Sequence, residues 1–241
     1  MIPRTFDVTI REYGDTIVVR DDLLDGGTKR RAMARIGDVS GMIYAGPSWG
    51  GAAVAMSYEC KERGIPCTLF YPKRKHLTAR MRLAKNNGAK IVQVPFGRLN
   101  VIKSHAKKYQ EETGHCLVKW GGGSDASVAI TEAALSLKSQ IEGKNIESLW
   151  CASGSGTLVA ALADVLDIPC YGVIVGYGLK AKDFPRVAGF YRHPLEFPQQ
   201  TSFKTPFPSC LHYDAKAFEM MKHKTKRGAK TVFWNVMGHH T

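Results

Sequence analysis

The sequence predicts an α/β protein built on parallel sheets. Short apolar runs alternate with amphipathic stretches along most of the chain, which is the pattern of βαβ units. Glycines close three successive helix patterns, at Gly64, Gly88 and Gly114. Two glycine-rich turns also stand where a strand pattern gives way to a helix pattern.

Residues 16–20 read as a strand, and Gly26-Gly27 turn the chain into a helix starting near Thr28. A strand over 41–45 and a helix over 51–63 follow; Gly64 suits the left-handed position past the helix end, and Pro66 prevents its continuation. The cycle repeats as strand 67–71 and helix 78–86, then strand 90–94 and helix 101–112. A strand over 116–120 completes four strands with three intervening helices, which right-handed crossovers fold into a small parallel sheet. Beyond Gly121-Gly122-Gly123 come a long helix over 126–141, strand 148–152, helix 157–166 and strand 170–175. Residues 177–210 are rich in Pro, Phe, Lys and Arg, show no period, and are expected to be irregular and mobile. A helix over 214–226 and a strand over 231–236 close the chain. No low-complexity tract or repeat exists beyond the βα alternation.

Composition bounds the function. A chain of 241 residues with 44% hydrophobic and 23% charged residues has the makings of a packed globular protein. No apolar run approaches the roughly 20 residues that span a bilayer. Residues 1–13 carry charges and a proline where a signal peptide needs an apolar stretch, so no membrane partner and a cytoplasmic location are expected. The six cysteines form no CxxC pair and mostly sit in apolar runs, as reduced, buried residues would. No Cys/His cluster has ligand spacing, so no metal is expected, and His239-His240 mark no site. Thirty-four Lys and Arg against 21 acidic residues give a formal charge of +13. Such an excess favours a polyanionic partner or an acidic substrate; the alternative is a solvated basic surface. Basic clusters stand at Lys73-Arg74-Lys75-His76 and over 222–227, the second also a helix end where the dipole favours positive charge.

Two turns carry chemistry. Ser153-Gly154-Ser155-Gly156-Thr157 follows a strand and opens a helix. Glycines allow the backbone to approach an anion, free amides at a helix N-terminus point towards it, and the hydroxyls add donors, so this turn can bind phosphate; otherwise it is only a tight turn. It lacks the P-loop lysine and the full dinucleotide fingerprint. In Asp25-Gly26-Gly27-Thr28-Lys29-Arg30-Arg31 the lysine follows a double glycine after a strand. It is either a solvated helix residue or a buried amine with a lowered pKa that can form a Schiff base.

Arg20-Asp21-Asp22-Leu23 followed by Gly26-Gly27-Thr28-Lys29-Arg30-Arg31 resembles the RDDL…GGNKxRK signature of the 1-aminocyclopropane-1-carboxylate deaminase and D-cysteine desulfhydrase branch of the pyridoxal-phosphate (PLP) enzymes of fold type II, the tryptophan-synthase-β-like group. Gly46-Pro47-Ser48-Trp49-Gly50-Gly51, before an Ala-rich helix, resembles the group's loop for the substrate carboxylate. Gly121-Gly122-Gly123-Ser124 with Gln140-Ile141 resembles its PGGS…EL..Q segment. Ser153 to Thr157 matches its phosphate cup, and Tyr213-Asp214-Ala215-Lys216-Ala217 and Val232-Phe233-Trp234-Asn235 resemble its YxGKA and LFxHTGG segments. The resemblance covers nearly the whole chain. It implies a shortened fold type II architecture of two parallel-sheet domains, a large PLP-binding one over 1–38 and 121–241 and a small one over 39–120. It implies Lys29 as the Schiff-base residue and, with Ser48, as catalytic; Ser153, Gly154, Ser155, Gly156 and Thr157 around the phosphate; and Ser48, Trp49, Gly50 and Gly51 at the substrate. A homodimer is expected.

The departures are specific. Trp49-Gly50 replace the family's Asn-His, so the asparagine for the ring's 3′-oxygen is missing. No Tyr and Glu for the pyridine ring are recognisable around Cys210-Leu211-His212, and Val236 replaces the threonine of HTGG. The chain is also shorter than typical members, which implies a reduced lid and an open site suited to a bulky substrate. The resemblance therefore implies an external aldimine with an amino-acid-type substrate and cleavage of a bond at Cα, with three readings open. One is decarboxylation of an amino acid attached to a modified base in DNA, a chemistry associated with bacteriophage base hypermodification. Another is a deaminase- or desulfhydrase-type lyase acting on a free small amino acid. The third is a catalytically silent PLP-fold protein that binds nucleic acid.

Overall fold

The computed structural model describes residues 7–95, 98–119, 123–176, 179–197 and 199–238, the side chains of 123–125 excepted. In chain order the elements are β1 (Ile10–Tyr13), β2 (Thr16–Arg20), α1 (Lys29–Arg35), β3 (Met42–Ala45), α2 (Gly51–Arg63), β4 (Cys67–Pro72), α3 (Ala79–Asn86), β5 (Lys90–Val94), α4 (Leu99–Thr113) and β6 (Cys116–Leu117). There follow α5 (Gly123–Ile141), β7 (Ser148–Ser153), α6 (Thr157–Val165), β8 (Cys170–Ile174), β9 (Gly189–Arg192), α7 (Asp214–Lys224) and β10 (Thr231–Asn235). The chain divides into two compact units: one takes the residues up to Leu24 together with those from Ser127, and the other runs from Asp25 to Ala126.

The first unit holds a six-stranded sheet in the order β1-β2-β10-β7-β8-β9, parallel except for the antiparallel pair β1/β2. Its central strands are buried on both faces, which is why they read as unbroken apolar runs. Ile17, Val19, Leu149, Cys151, Val232 and Trp234 face one way, against Ile130, Ala133 and Leu137 of α5 and Val159 and Leu162 of α6. Val18, Trp150, Ala152 and Phe233 face the other way, against Ala217, Phe218 and Met221 of α7. The two-residue period of the strands sorts their side chains between the layers.

The second unit holds four parallel strands in the order β5-β4-β3-β6. Met42, Tyr44, Leu69 and Tyr71 pack against Met33, α2 and Met81 and Ala84 of α3. Ile43, Ala45 and Phe70 pack against Ile102 and Ala106 of α4. Gly64 and Gly114 occupy left-handed positions past the ends of α2 and α4, at φ 65° and 70°.

Two strands go beyond the sequence reading. β1 is half-exposed and charged, and is set by a tight hairpin at Gly14 (φ 58°) that pairs it with β2. β9 lies inside the segment read as irregular; its four residues form an outer strand beside β8, too short and too exposed to show a period. Much of that segment is held by polar contacts to α7. Thr201 Oγ1 donates to Glu219 at 2.6 Å, and Glu219 also meets His193 Nε2 at 3.3 Å. His193 Nδ1 accepts from the Leu195 amide at 3.1 Å, and the buried Lys216 donates to the Glu196 carbonyl at 2.7 Å. Among the described residues no helix is long and apolar enough to cross a membrane.

Candidate active site

In the first unit β7 runs straight into the loop Ser153–Thr157, which opens α6. Gly156 stands at φ 86°, and a Cβ there would lie 2.4 Å from the Phe184 ring; a Cβ at Gly154 would lie 3.0 Å from the Tyr213 hydroxyl. Close approach and backbone conformation therefore both require glycine at Gly156, while at Gly154 a side chain would press on the Tyr213 hydroxyl. Ser153 Oγ is buried and has no hydrogen-bond partner among the described residues. The Ser155 and Thr157 hydroxyls lie 3.0 Å apart at the surface of the loop. A buried orphan hydroxyl costs about 1–3 kcal/mol, which an oxygen-rich ligand would restore. With the amides at the start of α6, this loop has donors that can hold a phosphate.

Tyr213 and Phe184 are lining residues that sequence reasoning missed. Tyr213 was visible only as part of a motif, and Phe184 lay in a stretch with no period. Burial raises the Tyr213 phenol well above the usual range, with Asp214 adding to the effect, so the group stays protonated. Asp214 is itself buried and accepts the amides of Val236 and Met237 at 3.0 and 3.1 Å, fixing the start of α7 against the end of β10.

The RDDL residues take structural places in this unit. Arg20 pairs with Asp22 at 2.7 Å and donates to the Tyr13 hydroxyl at 2.7 Å, while Asp21 accepts the Trp234 indole N–H at 3.0 Å. Ser209 donates to Asn235 at 3.0 Å beside them.

In the second unit the double glycine brings the chain onto the middle of α2. Gly26 stands at φ 93°, and a Cβ on it would lie 2.4 Å from the Ala55 Cα. Lys29 opens α1, half-covered at its surface, and burial of its ammonium lowers its pKa from the ordinary lysine value. A neutral amine is the nucleophilic form, so the environment favours attack on a carbonyl. The helix that carries Lys29 is clamped to α2 by charge. Glu59, 5% exposed at its side chain, accepts from Arg30 at 2.7 Å and from Arg63 at 2.6 Å, and Arg30 also meets Glu62. Arg63 further donates to the Ile36 carbonyl at 2.8 Å, closing the end of α1. Glu59→Ala removes the buried carboxylate shared by two guanidinium groups, leaving Arg30 to Glu62 and Arg63 to backbone carbonyls, and should cost about 1–3 kcal/mol of stability in denaturant unfolding. A loss below about 1 kcal/mol, typical of a solvated surface pair, would refute the clamp.

The loop before α2 holds Ser48, 2% exposed, whose Oγ also lacks a partner among the described residues. Its carbonyl accepts Thr78 Oγ1 at 2.9 Å, and Gly50 donates to the Pro47 carbonyl at 3.2 Å. Gly50 caps α2, so Ser48, Trp49, Gly50 and Gly51 stand at the start of a 13-residue helix, a setting for a carboxylate. Trp49 is 44% exposed and lies under the Arg74 guanidinium, 5.6 Å from the ring centre. Gly121 and Gly122 of the glycine run, with Trp120, lie outside the described residues.

Each α/β unit is built on a mostly parallel sheet; one carries a glycine–serine loop at the start of a helix, and the other carries a lysine amine whose pKa burial lowers. The chain belongs to the family of pyridoxal-phosphate dependent enzymes, whose profile matches residues 10–203, and its cofactor is pyridoxal phosphate. The architecture is that of fold type II. Similar solved structures include an ACC deaminase homologue (TM-score 0.80, 17% identity, 96% of this chain and 89% of that chain covered). They also include a threonine deaminase from T.th. (TM-score 0.75, 16% identity, 98% and 92% covered). Maize serine racemase is a third (TM-score 0.72, 14% identity, 96% and 88% covered). No curated protein matches by sequence.

Proposed function

We propose that this protein is a PLP-dependent lyase that breaks a bond at Cα of an amino-acid-type substrate. The observation that carries the reading is Lys29: a lysine amine with a lowered pKa, opening a helix clamped in place by Arg30, Glu59 and Arg63. In this reading Lys29 holds the cofactor through its amine and, once released, moves the proton at the substrate Cα. Ser153, Gly154, Ser155, Gly156 and Thr157 hold the phosphate. Ser48 Oγ and the amides of Trp49, Gly50 and Gly51 bind and orient the substrate carboxylate, which decides which Cα bond lies in line for cleavage. Bound PLP supplies the electron sink for that bond.

For the substrate itself we favour an amino acid carried on a modified base in phage DNA and decarboxylated there. The Cα–carboxylate bond breaks, carbon dioxide leaves, and a proton is delivered to Cα from Lys29. The observation favouring a polymer over a small molecule is the half-exposed Trp49, next in the chain to the buried Ser48 and with the Arg74 guanidinium over its ring. The alternatives are a deaminase- or desulfhydrase-type lyase on a free small amino acid, and a silent nucleic-acid-binding protein. Incubating the holoenzyme with DNA bearing an aminoacylated thymine, then digesting it and weighing the nucleosides, separates them. A nucleoside lighter by carbon dioxide supports decarboxylation; turnover of free D-cysteine with unchanged DNA supports the small-molecule lyase; no turnover of either supports the silent protein.

The proposed setting is cytoplasmic, in keeping with six free thiols. The proposed assembly is a homodimer. Val128 and Leu135, exposed and seven residues apart on α5, offer an apolar stripe for self-association, and light scattering tests it.

A further inference from the structure

The positive charge of this protein is concentrated in one stretch of chain. From Arg63 to Gln110 there are twelve Lys and Arg and not one Asp or Glu, so the rest of the molecule is close to neutral. That stretch builds β4, α3, β5 and most of α4, all in the second unit. Some of its cations are engaged: Arg63 with Glu59, and Lys107 and Lys108 with Glu111 and Glu112 at 4.0 and 3.9 Å. Lys73, Arg74, Lys75 and Lys85 are exposed, and among the described residues none of them forms an ion pair.

The placement of these cations is specific. The 46–50 loop leaves the carboxyl end of β3, and residues 73–77 leave the carboxyl end of its parallel neighbour β4, the end of an α/β sheet where ligands bind. Side chains join the two loops: Arg74 lies over the Trp49 ring, Arg80 donates to the Trp49 carbonyl, and Thr78 donates to the Ser48 carbonyl. The backbone beneath Arg74 is fixed as well, because the Lys73 amide donates to the Val94 carbonyl at 3.0 Å and the Arg74 amide to Gln93 Oε1 at 2.9 Å. An indole thus lies at the surface with a guanidinium over its ring, lysines on both sides of that arginine in sequence and no carboxylate in the stretch.

The geometry points to a nucleic-acid strand as the partner of this surface: one base stacks on the Trp49–Arg74 pair, and Lys73, Arg74 and Lys75 neutralise the flanking phosphates. A polyanion without bases would need only the lysines, and a duplex presents no open base face, so an unpaired or flipped-out base is the element this surface is built to take. Trp49 adjoins Ser48, so a base stacked there carries any attached amino acid beside the proposed carboxylate contact. The inference rests on the polymer-borne reading for the purpose of the surface, and binding is therefore measured apart from turnover.

The test is titration of the holoprotein against a labelled single-stranded oligonucleotide, the matching duplex and heparin over a range of salt. The single strand should bind more tightly than the duplex, with affinity falling as a power of salt concentration. Replacing Lys73, Arg74 and Lys75 together with alanine should reduce the slope of log K against log salt by about 2, at roughly 0.7 for each phosphate on a single strand. Trp49→Ala should weaken the single strand by about tenfold or more without changing that slope, while Trp49→Phe restores most of the loss, as base stacking requires. Cofactor absorbance of each variant reports that it is folded. Equal affinity for strand, duplex and heparin, or a strand affinity indifferent to Trp49→Ala, would overturn the proposal. Trp49-dependent strand binding with turnover of free amino acids alone would leave the surface standing and remove the polymer-borne substrate.

Discussion

Lys29→Ala should yield a colourless, folded protein with no covalent cofactor and no measurable PLP-dependent turnover. The wild-type holoenzyme should be yellow, with a visible band that borohydride bleaches by reducing the imine to a stable amine. Peptide mapping should then find the pyridoxyl group on Lys29. Loss of the proton-transfer group alone removes about 10²–10⁴-fold of rate, and loss of the cofactor's attachment adds to it. A pyridoxyl group on any other lysine would refute the assignment.

The same site makes a stability prediction of opposite sign. Burial holds the Lys29 pKa in the folded apoprotein below the value it has when unfolded. Between those two pKa values the unfolded chain binds more protons, so apoprotein stability rises with pH through that window. Below the folded pKa the full cost of the buried ammonium is present. Lys29→Met removes that cost, so the apo variant should be more stable than the wild-type apoprotein at neutral pH. The difference should shrink as pH climbs towards the unfolded lysine value, as urea unfolding at several pH values will show.

Gly156→Val should weaken PLP binding by about a hundredfold, a loss of roughly 2.7 kcal/mol. Two terms produce it. A β-branched residue at φ 86° is strained by about 1–2 kcal/mol, and the new Cβ falls 2.4 Å from the Phe184 ring, which must move. Gly154→Val should act in the same direction by pressing on the Tyr213 hydroxyl. Ser155→Ala removes one exposed hydroxyl, 3.0 Å from that of Thr157, and should cost only about 0.5–1.5 kcal/mol. Equilibrium dialysis of PLP against the three variants distinguishes them; equal losses would mean that the loop does not wrap a phosphate.

Much of the architecture was legible from local pattern alone. β2, β3, β4, β7, β8 and β10 are apolar in a way that only strands buried on both faces require. Glycines mark the ends of α2 and α4 because only glycine adopts the left-handed turn there without strain. β1 and β9 escaped because each is short, half-exposed and held by one neighbour, so neither needs an apolar period.

At the site the division follows the same physics. Residue type and order by themselves determined the family, the double glycine before Lys29, the Ser153–Thr157 turn and the excess of positive charge, since each is a property of contiguous residues. Tertiary structure alone decided that Ser48 and Ser153 carry buried hydroxyls without partners among the described residues, that Glu59 binds Arg30 from another helix, and that Phe184 and Tyr213 close on Gly156 and Gly154. It also decided that Arg74 covers Trp49, from 25 positions away. Each of these depends on partners brought together by the crossovers of a parallel sheet, and burial and contact between residues far apart in the chain leave no trace in the local period of either partner.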